Sequence, residues 1–494
     1  MTVLVFIVSL LGAMALGMRN LVQKFSADEL HSGDVFITND PWALAGHLND
    51  ICVFSPIFHK GNLAAFTACV LHHSDIGGRV ASDNHDVFEE GLFIPLVKLY
   101  ERGELNQAVL DMIRWNVRTP ENVIGDIRSQ TAANHVCAAQ VQRMLEEYRL
   151  DSLDDLADEI IARSEKSVRS AIEQVPDGVY RAEGVIEQME GQKDINIKAA
   201  VEIKGSDISV DLAGSSPQVS WGGNVVYNFT FAYVHMAIKS IFDPDIPNNH
   251  GSVAVIKLDA PEGSVVNCRF PAAVAARMQI GHFMAEIIYR ALAQALPHRV
   301  IASSGGTPAT MNVFYGTFNN GKPWHSVIIR GGGMGASSGR DGENSYIFPA
   351  NGANTPIEIL EGDTPLIVER RELLIDSGGA GKFRGGLGTR TVFRIPDDEH
   401  APQTPVSLGI QSGRFRLPPE GLAGGQAGSR AKFLVNGEQG NPYGLTKLHP
   451  GDIIVMESSG GGGYGLPNER DPDVLTEDIR AGWVSEEKAK SEYG

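Results

Sequence analysis

Cysteine is scarce: four residues in 494, Cys52, Cys69, Cys137 and Cys268, with no C-x-x-C spacing. A disulfide framework is therefore not indicated, and buried free thiols of a reducing, cytoplasmic protein are expected. Positive charge is also short, 42 Lys and Arg against 60 Asp and Glu, for a formal net charge of −18. Phosphate backbones and anionic membranes are recognised by clustered Lys and Arg, so neither a nucleic-acid nor a membrane partner is expected. Nucleotide signatures are missing too. There is no G-x-x-x-x-G-K-[ST], and the glycine runs 331–335 and 460–465 lack the strand-to-helix setting of a phosphate loop. ATP, if the chemistry needs it, must sit on another polypeptide.

Long apolar runs are limited to the first 18 residues, MTVLVFIVSLLGAMALGM. This stretch has no basic flank, although Ala13-Met14-Ala15 imitates a cleavage site, and it is borderline against the roughly 20 residues of a spanning helix. A buried core segment is the expected state.

The remaining composition is that of a globular protein, 43% hydrophobic and 21% charged. At roughly 150 residues per domain, about three domains are expected. Gly and Pro, 55 and 25 residues, exceed average usage without a G-X-Y period, and the excess is expected in turns and in close backbone approaches inside folded domains. Three zones appear. Residues 1–176 read as a mixed α/β domain bearing the polar cluster described below. Runs at Ile51–Phe54 and Leu63–Leu71 flank His59-Lys60-Gly61-Asn62, a hairpin turn. Helical stretches follow at Asn122–Tyr148, with an apolar stripe at Val123, Ile127, Val136, Val141 and Leu145, and after a capping-box-like Ser152 and Asp155, with a stripe at Leu153, Leu156, Ile160 and Ile161. Residues 177–300 alternate with period two as an antiparallel meander, interrupted by apolar helices at Asn228–Phe242 and Met278–Leu296. Residues 301–494 are strands and glycine, closed by a short charged helix. The fold class is mixed α/β and multidomain, with a metal-bearing domain followed by glycine-rich, strand-dominated ones.

Chemistry-bearing side chains concentrate in the first zone. His47 and Asp50 precede one strand of the hairpin, and His72, His73 and Asp75 follow the other. Pairing would bring the His/Asp pair opposite the two histidines, and two imidazoles with one carboxylate suit Zn²⁺, Mn²⁺ or Fe²⁺ with positions left open. In a strand His72 and His73 point to opposite faces, so only one can ligate. The other could bond a neighbour such as Asp75. H-x-x-D alone is weak; the density of Asp40, His47, Asp50, His72, His73, Asp75, His85 and Asp86 strengthens it. Glu89-Glu90 is expected to face solvent rather than act as a base.

GDVFITNDPW (33–42), GHLND (46–50), LHHSDIGG (71–78), EEGLFIPLVKLY (89–100) and NVRTPENVIGDIRSQTAANH (116–135) closely resemble the hydantoinase B/oxoprolinase family. So do DPDIPNN (243–249), PAAVAARM (271–278), SSGGT (303–307), NTPIEILE (354–361), DSGGAGKFRGGLGTR (376–390) and GGGGYG (460–465). The resemblance implies a divalent metal on His47, Asp50 and His72, with Asp50, His73 and Asp75 as the catalytic set. It also implies an A-type, actin-like ATPase partner in a hetero-oligomer, which phosphorylates the substrate. Metal-bound water would then open a cyclic amide such as a hydantoin or 5-oxoproline. An ATP-dependent ketone carboxylase of the acetone or acetophenone type, or an inactive scaffold subunit, are the alternatives. Because Leu11-Gly12-Ala13-Met14 already resembles the family's H-L-G-S-M, the chain is expected to be short at its N-terminus, without an acidic R-D-F-S-like segment that approaches the metal.

Overall fold

The computed structural model describes residues 7–44, 46–79, 83–188, 193–308, 310–352 and 354–494. Its fold is mixed α/β and multidomain, with several sheets and helical layers. The start of the apolar N-terminal stretch lies outside the described residues. From Ile7 it forms α1 (Ile7–Lys24), which packs against the later helix Tyr227–Phe242 and buries Leu21 completely. A Cβ on Gly17 would stand 2.6 Å from Leu44 Cδ1, so this helix sits close against its neighbours. Among the described residues no helix is long and apolar enough to cross a membrane.

Strands β1 (Val35–Thr38), β2 (Asp50–His59), β3 (Asn62–His72), β4 (Val97–Glu101) and β5 (Glu104–Leu105) form an antiparallel sheet in the order β3-β2-β1-β4-β5. The β2–β3 turn carries Lys60 and Gly61 at φ 50° and 85°. Two consecutive positive φ values match the right-handed twist of the flanking strands and close the hairpin tightly. That closure, followed by a one-residue register shift between Ile57 and Phe58, gives the register in which Asp50 faces His72 and Ile51 faces Leu71. Helix α2 (Gln107–Asn116) leads into α3 (Pro120–Glu147), which lies across β2 and β3.

Two stripes read from periodicity are corrected. On α3 Val123, Ile127 and Leu145 are buried, but Val136 is exposed. On α4 (Asp154–Ile172) the buried positions are Ser164, Val168 and Ile172, whereas Leu156 and Ile160 face outward. The Ser152 hydroxyl accepts only from the Asp154 N–H at 3.3 Å, so no capping box forms. Cys137 is exposed on α3 and Cys69 is half-buried; Cys52 and Cys268 are the buried thiols, and all four are free.

The meander is present as β6 (Gly178–Ile186), β7 (Ile195–Lys204) and β8 (Asp207–Asp211), with β9 (Ile256–Asp259) parallel to β8. Inward positions Ile195, Ile197, Ala199, Val201 and Ile203 on β7 are buried, as period two requires. The sheet is covered by α7 (Met278–Leu292), which packs on α5 (Tyr227–Phe242); the short α6 (His250–Ala254) lies between them in the chain. One apolar core runs through these elements and the first sheet, from Val35 to Ala350.

The remaining chain builds two sheets around a second core of Phe314, Trp324, Phe393, Phe433 and their neighbours. One sheet orders β11 (Pro323–Ile329), β10 (Thr310–Thr317), β14 (Val406–Ser412) and β17 (Leu445–Leu448). The other orders β12 (Ile367–Leu373), β13 (Thr389–Arg394), β18 (Ile453–Glu457), β15 (Lys432–Val435) and β16 (Glu438–Gln439), with α8 (Ile357–Asp363) beside β12. The terminal helix is two helices, α9 (Pro472–Arg480) and α10 (Glu486–Glu492), separated at Gly482 (φ 72°).

Of the two expected uses of glycine, the runs serve as close backbone approaches rather than as turn motifs. Gly460–Gly463 are buried, and their backbones lie directly against those of other glycine-rich segments. Gly461 N–H donates to Gly386 O, Gly379 N–H to Gly461 O, Gly386 N–H to Met334 O, and Gly333 N–H to Ser459 O, all at 2.8–2.9 Å. A Cβ on Gly461 would come within 2.0 Å of Met334 O, and one on Gly386 within 2.0 Å of Glu343 O. Glycine is required here because backbone meets backbone with no room for a side chain.

Candidate metal centre

The hairpin register does the assembling. Opposition of Asp50 to His72 at the open end of β2–β3 places their side chains together, and His47 reaches the same point from the preceding loop. His47 Nε2 lies 3.0 Å from Asp50 Oδ1 and 3.0 Å from His72 Nδ1, and His72 Nδ1 lies 3.1 Å from Asp50 Oδ1. The two imidazoles stack at 4.8 Å. Either ring protons donated to Asp50 Oδ1 or one divalent cation can hold these three atoms together. Ligand atoms about 2.1 Å from one ion at right angles stand about 3.0 Å apart, so this donor set fits a metal of the two-His, one-carboxylate kind.

Electrostatics keep the donors in their ligating forms. Burial, aided by the Arg277 charge, pushes His47 down to about 3 despite Asp50 beside it, leaving a neutral imidazole. Burial acts most strongly on Asp50 and would raise it. Arg277, His47 and the hydrogen bonds from both imidazoles outweigh that and hold the carboxyl well below its ordinary range. Asp50 Oδ2 is 2.5 Å from Arg277 Nη2. His72 is the least buried of the three, so the centre opens on its side.

Of the residues expected to be catalytic, only Asp50 lies in this cluster. His73 points to the opposite face of β3, where Nε2 meets Gln130 Oε1 at 3.0 Å and burial pushes it down to about 4. Its N–H donates to Asn49 O and its carbonyl accepts from Asn49 Nδ2. Asp75 does not bond His73. It accepts from Gly77 N–H, Thr119 N–H and Arg118 Nη1 at 2.9–3.0 Å, and also from the Arg118 N–H. Both residues therefore brace the end of the hairpin. Asp40 accepts from Trp42 N–H, His85 Nδ1 meets Ser220 O, and Asp86 accepts from Phe88 N–H and Glu89 N–H; none joins the cluster.

Three participants escape sequence reasoning. Arg277 is 227 positions from Asp50, and no local spacing links them, although it stands in the PAAVAARM segment. Glu90, expected to face solvent, is buried: Oε1 accepts from Val274 N–H (2.6 Å) and Ala275 N–H (2.7 Å), while Oε2 has no partner among the described residues. Burial pushes its carboxyl up to about 8. The third is His325 on β11, opposite Tyr315 on β10 with rings 6.3 Å apart. The Arg118 guanidinium lies 5.8 Å over Tyr315, and His325 is near enough to feel the charges of Asp75, Arg118 and His72.

A buried two-His, one-carboxylate centre on a hairpin, inside a multidomain α/β scaffold, defines the class. The hydantoinase B/oxoprolinase family matches residues 4–467, and the chain belongs to that family. It is similar to the B-type subunit of a putative D-/L-hydantoinase from Pseudomonas sp. (strain NS671), 32% identical over 504 residues, covering 97% of this chain and 83% of that protein. The beta subunit of the caprolactamase of Pseudomonas jessenii is also 32% identical, over 499 residues, 96% of this chain and 84% of its own. The solved ATP-dependent caprolactamase from Pseudomonas jessenii superposes with a TM-score of 0.90 at 28% identity, over 99% of this chain and 87% of that one. A solved acetone carboxylase has a TM-score of 0.86 at 19% identity, over 100% and 72%, a likeness of fold.

Proposed function

We propose that this chain is the B-type subunit of an ATP-dependent amidohydrolase that opens a cyclic amide of the hydantoin, 5-oxoproline or lactam kind. The observation that carries this reading is the convergence of His47 Nε2, Asp50 Oδ1 and His72 Nδ1. It occurs in a chain related over nearly its whole length to a putative hydantoinase subunit and a caprolactamase subunit. Those residues would hold Zn²⁺, Mn²⁺ or Fe²⁺. Such an ion, when bound, polarises a carbonyl oxygen and lowers the pKa of water toward about 7. His47 serves as a neutral donor because burial denies it a proton, and Asp50 supplies the negative charge. His73 with Gln130, and Asp75 with Arg118, hold the strand end and loop that carry His72. The exposed side of His72 is where substrate would approach, beside His325 and Tyr315.

ATP belongs on an A-type partner subunit, since this chain carries no phosphate loop. The hydrolase reading stands ahead of ketone carboxylation because the two relatives at 32% identity bear amidohydrolase names, while the acetone carboxylase shares fold only. It also separates from an inactive scaffold by metal analysis. Purified chain should contain about one equivalent of divalent metal, lost in His72→Ala. No stoichiometric metal in either protein would contradict the proposal.

A further inference from the structure

Arg277 and Glu90 are both buried, and the family's ligand motif includes neither. Arg277 follows the Val274–Ala275 pair by two to three residues and ends with Nη2 on Asp50 Oδ2. Its guanidinium lies 4.5 Å over the Phe229 ring. Gly46, at φ 104°, also lies against it: a Cβ there would stand 3.0 Å from Arg277 Cδ. Packed against Phe229 and Gly46, and only 4% exposed, this side chain is not open to a substrate. The segment that carries it is fixed in turn by Glu90, whose Oε1 takes the N–H groups of Val274 and Ala275. The neighbouring backbone adds a second tie, Val87 N–H to Pro271 O. Oε1 is engaged by two backbone donors, and although Oε2 has no partner among the described residues, the residue is only 2% exposed, so neither oxygen is open to substrate.

We infer that Glu90 and Arg277 are positioning residues for the metal centre: Glu90 locks the 274–277 segment, and Arg277 holds Asp50 Oδ2 so that Oδ1 alone faces the two imidazoles. The physical need is clear from Asp50 itself. A carboxylate can turn about its terminal torsion at little cost, and a ligand that turns presents the wrong oxygen or both. A planar guanidinium on the outer oxygen removes that freedom and offsets the cost of burying the ionised carboxylate, whose Oδ1 stays turned to the imidazoles. Partners of metal-bound side chains commonly contribute about 10- to 100-fold in metal affinity. This inference rests on the metal-centre reading above.

The test is Mn²⁺ titration of the full chain, with free Mn²⁺ read by electron paramagnetic resonance and folding checked by circular dichroism. Arg277→Lys keeps the charge and loses the planar grip, so any change reports geometry rather than charge. It should weaken Mn²⁺ by about tenfold or more. Glu90→Ala should weaken it similarly from a distance, and Glu90→Gln, which keeps the accepting Oε1, should restore most of that loss. Should Arg277→Lys fail to fold, the Glu90→Ala and Glu90→Gln pair decides. Wild-type affinity in both Arg277→Lys and Glu90→Ala would overturn the inference, and so would a Glu90→Gln protein as weak as Glu90→Ala. A wild-type chain that binds no Mn²⁺, Zn²⁺ or Fe²⁺ would instead remove the metal centre itself.

Discussion

Single residues here are governed by burial more than by their chemical labels. His282 has neither ring nitrogen bonded among the described residues, and burial, aided by Arg277, pushes it down to about 3. Its unfolded value is near 6.5, so the unfolded chain takes up a proton that the folded chain refuses. Stability is therefore intact above about pH 6.5 and is lost as pH falls toward 3, by up to about 1.4 kcal/mol per pH unit. His282→Leu should flatten that decline between pH 7 and pH 5 in urea denaturation; an unchanged slope would show that His282 does not set it. The same dominance of environment explains what sequence could reveal. His47 and Asp50 were legible opposite the His72-His73 pair because one hairpin joins the two motifs, and the family resemblance singled out His72; the register shift between Ile57 and Phe58 that completes the pairing was not. Glu90 was not, because nothing in Glu89-Glu90 says which carboxylate the chain will later cover with residues 274 and 275. Arg277 was hidden by 227 intervening positions.

Elements were legible where the pattern was local and misread where a face needed a partner. The β2–β3 hairpin follows from its turn, yet Lys60 sits at φ 50°, a conformation that a side chain of its kind adopts only with strain and that asparagine tolerates better. Its ion pair with Asp151 joins two exposed groups and is worth little. Lys60→Asn should thus raise the melting temperature by a degree or two in a thermal scan, and a decrease would mean the pair matters more than the turn. Leu156 and Ile160 followed helical spacing and still lie outside, because periodicity marks a stripe without saying whether the chain covers it. The break between α9 and α10 had a signal, Gly482 with Ser485 as the next N-cap, that charge pattern alone does not show.

At the scale of the whole molecule, the chain combines a hairpin that carries the candidate centre with a body whose glycine-rich segments pack backbone against backbone. Composition pointed to turns and close backbone approaches as the uses of the glycine excess, but only the fold shows which backbones meet. Gly461→Ala should destabilise by about 3 kcal/mol or more, because its Cβ would meet Met334 O at 2.0 Å and backbone cannot step aside. Gly125→Ala, in mid-helix with open space around it, should stabilise by up to about 1 kcal/mol. Equal melting temperatures for the two variants would refute the packing account. The central claim concerns the centre that this scaffold supports. Its most direct test is ring opening of 5-oxoproline, hydantoin and caprolactam by the chain reconstituted with its A-type ATPase partner, after chelation and stepwise return of Zn²⁺ or Mn²⁺. The account predicts ATP-consuming hydrolysis of at least one of these amides that appears only with metal and is abolished by His72→Ala. Hydrolysis that proceeds equally in the chelated wild type and in His72→Ala would contradict it.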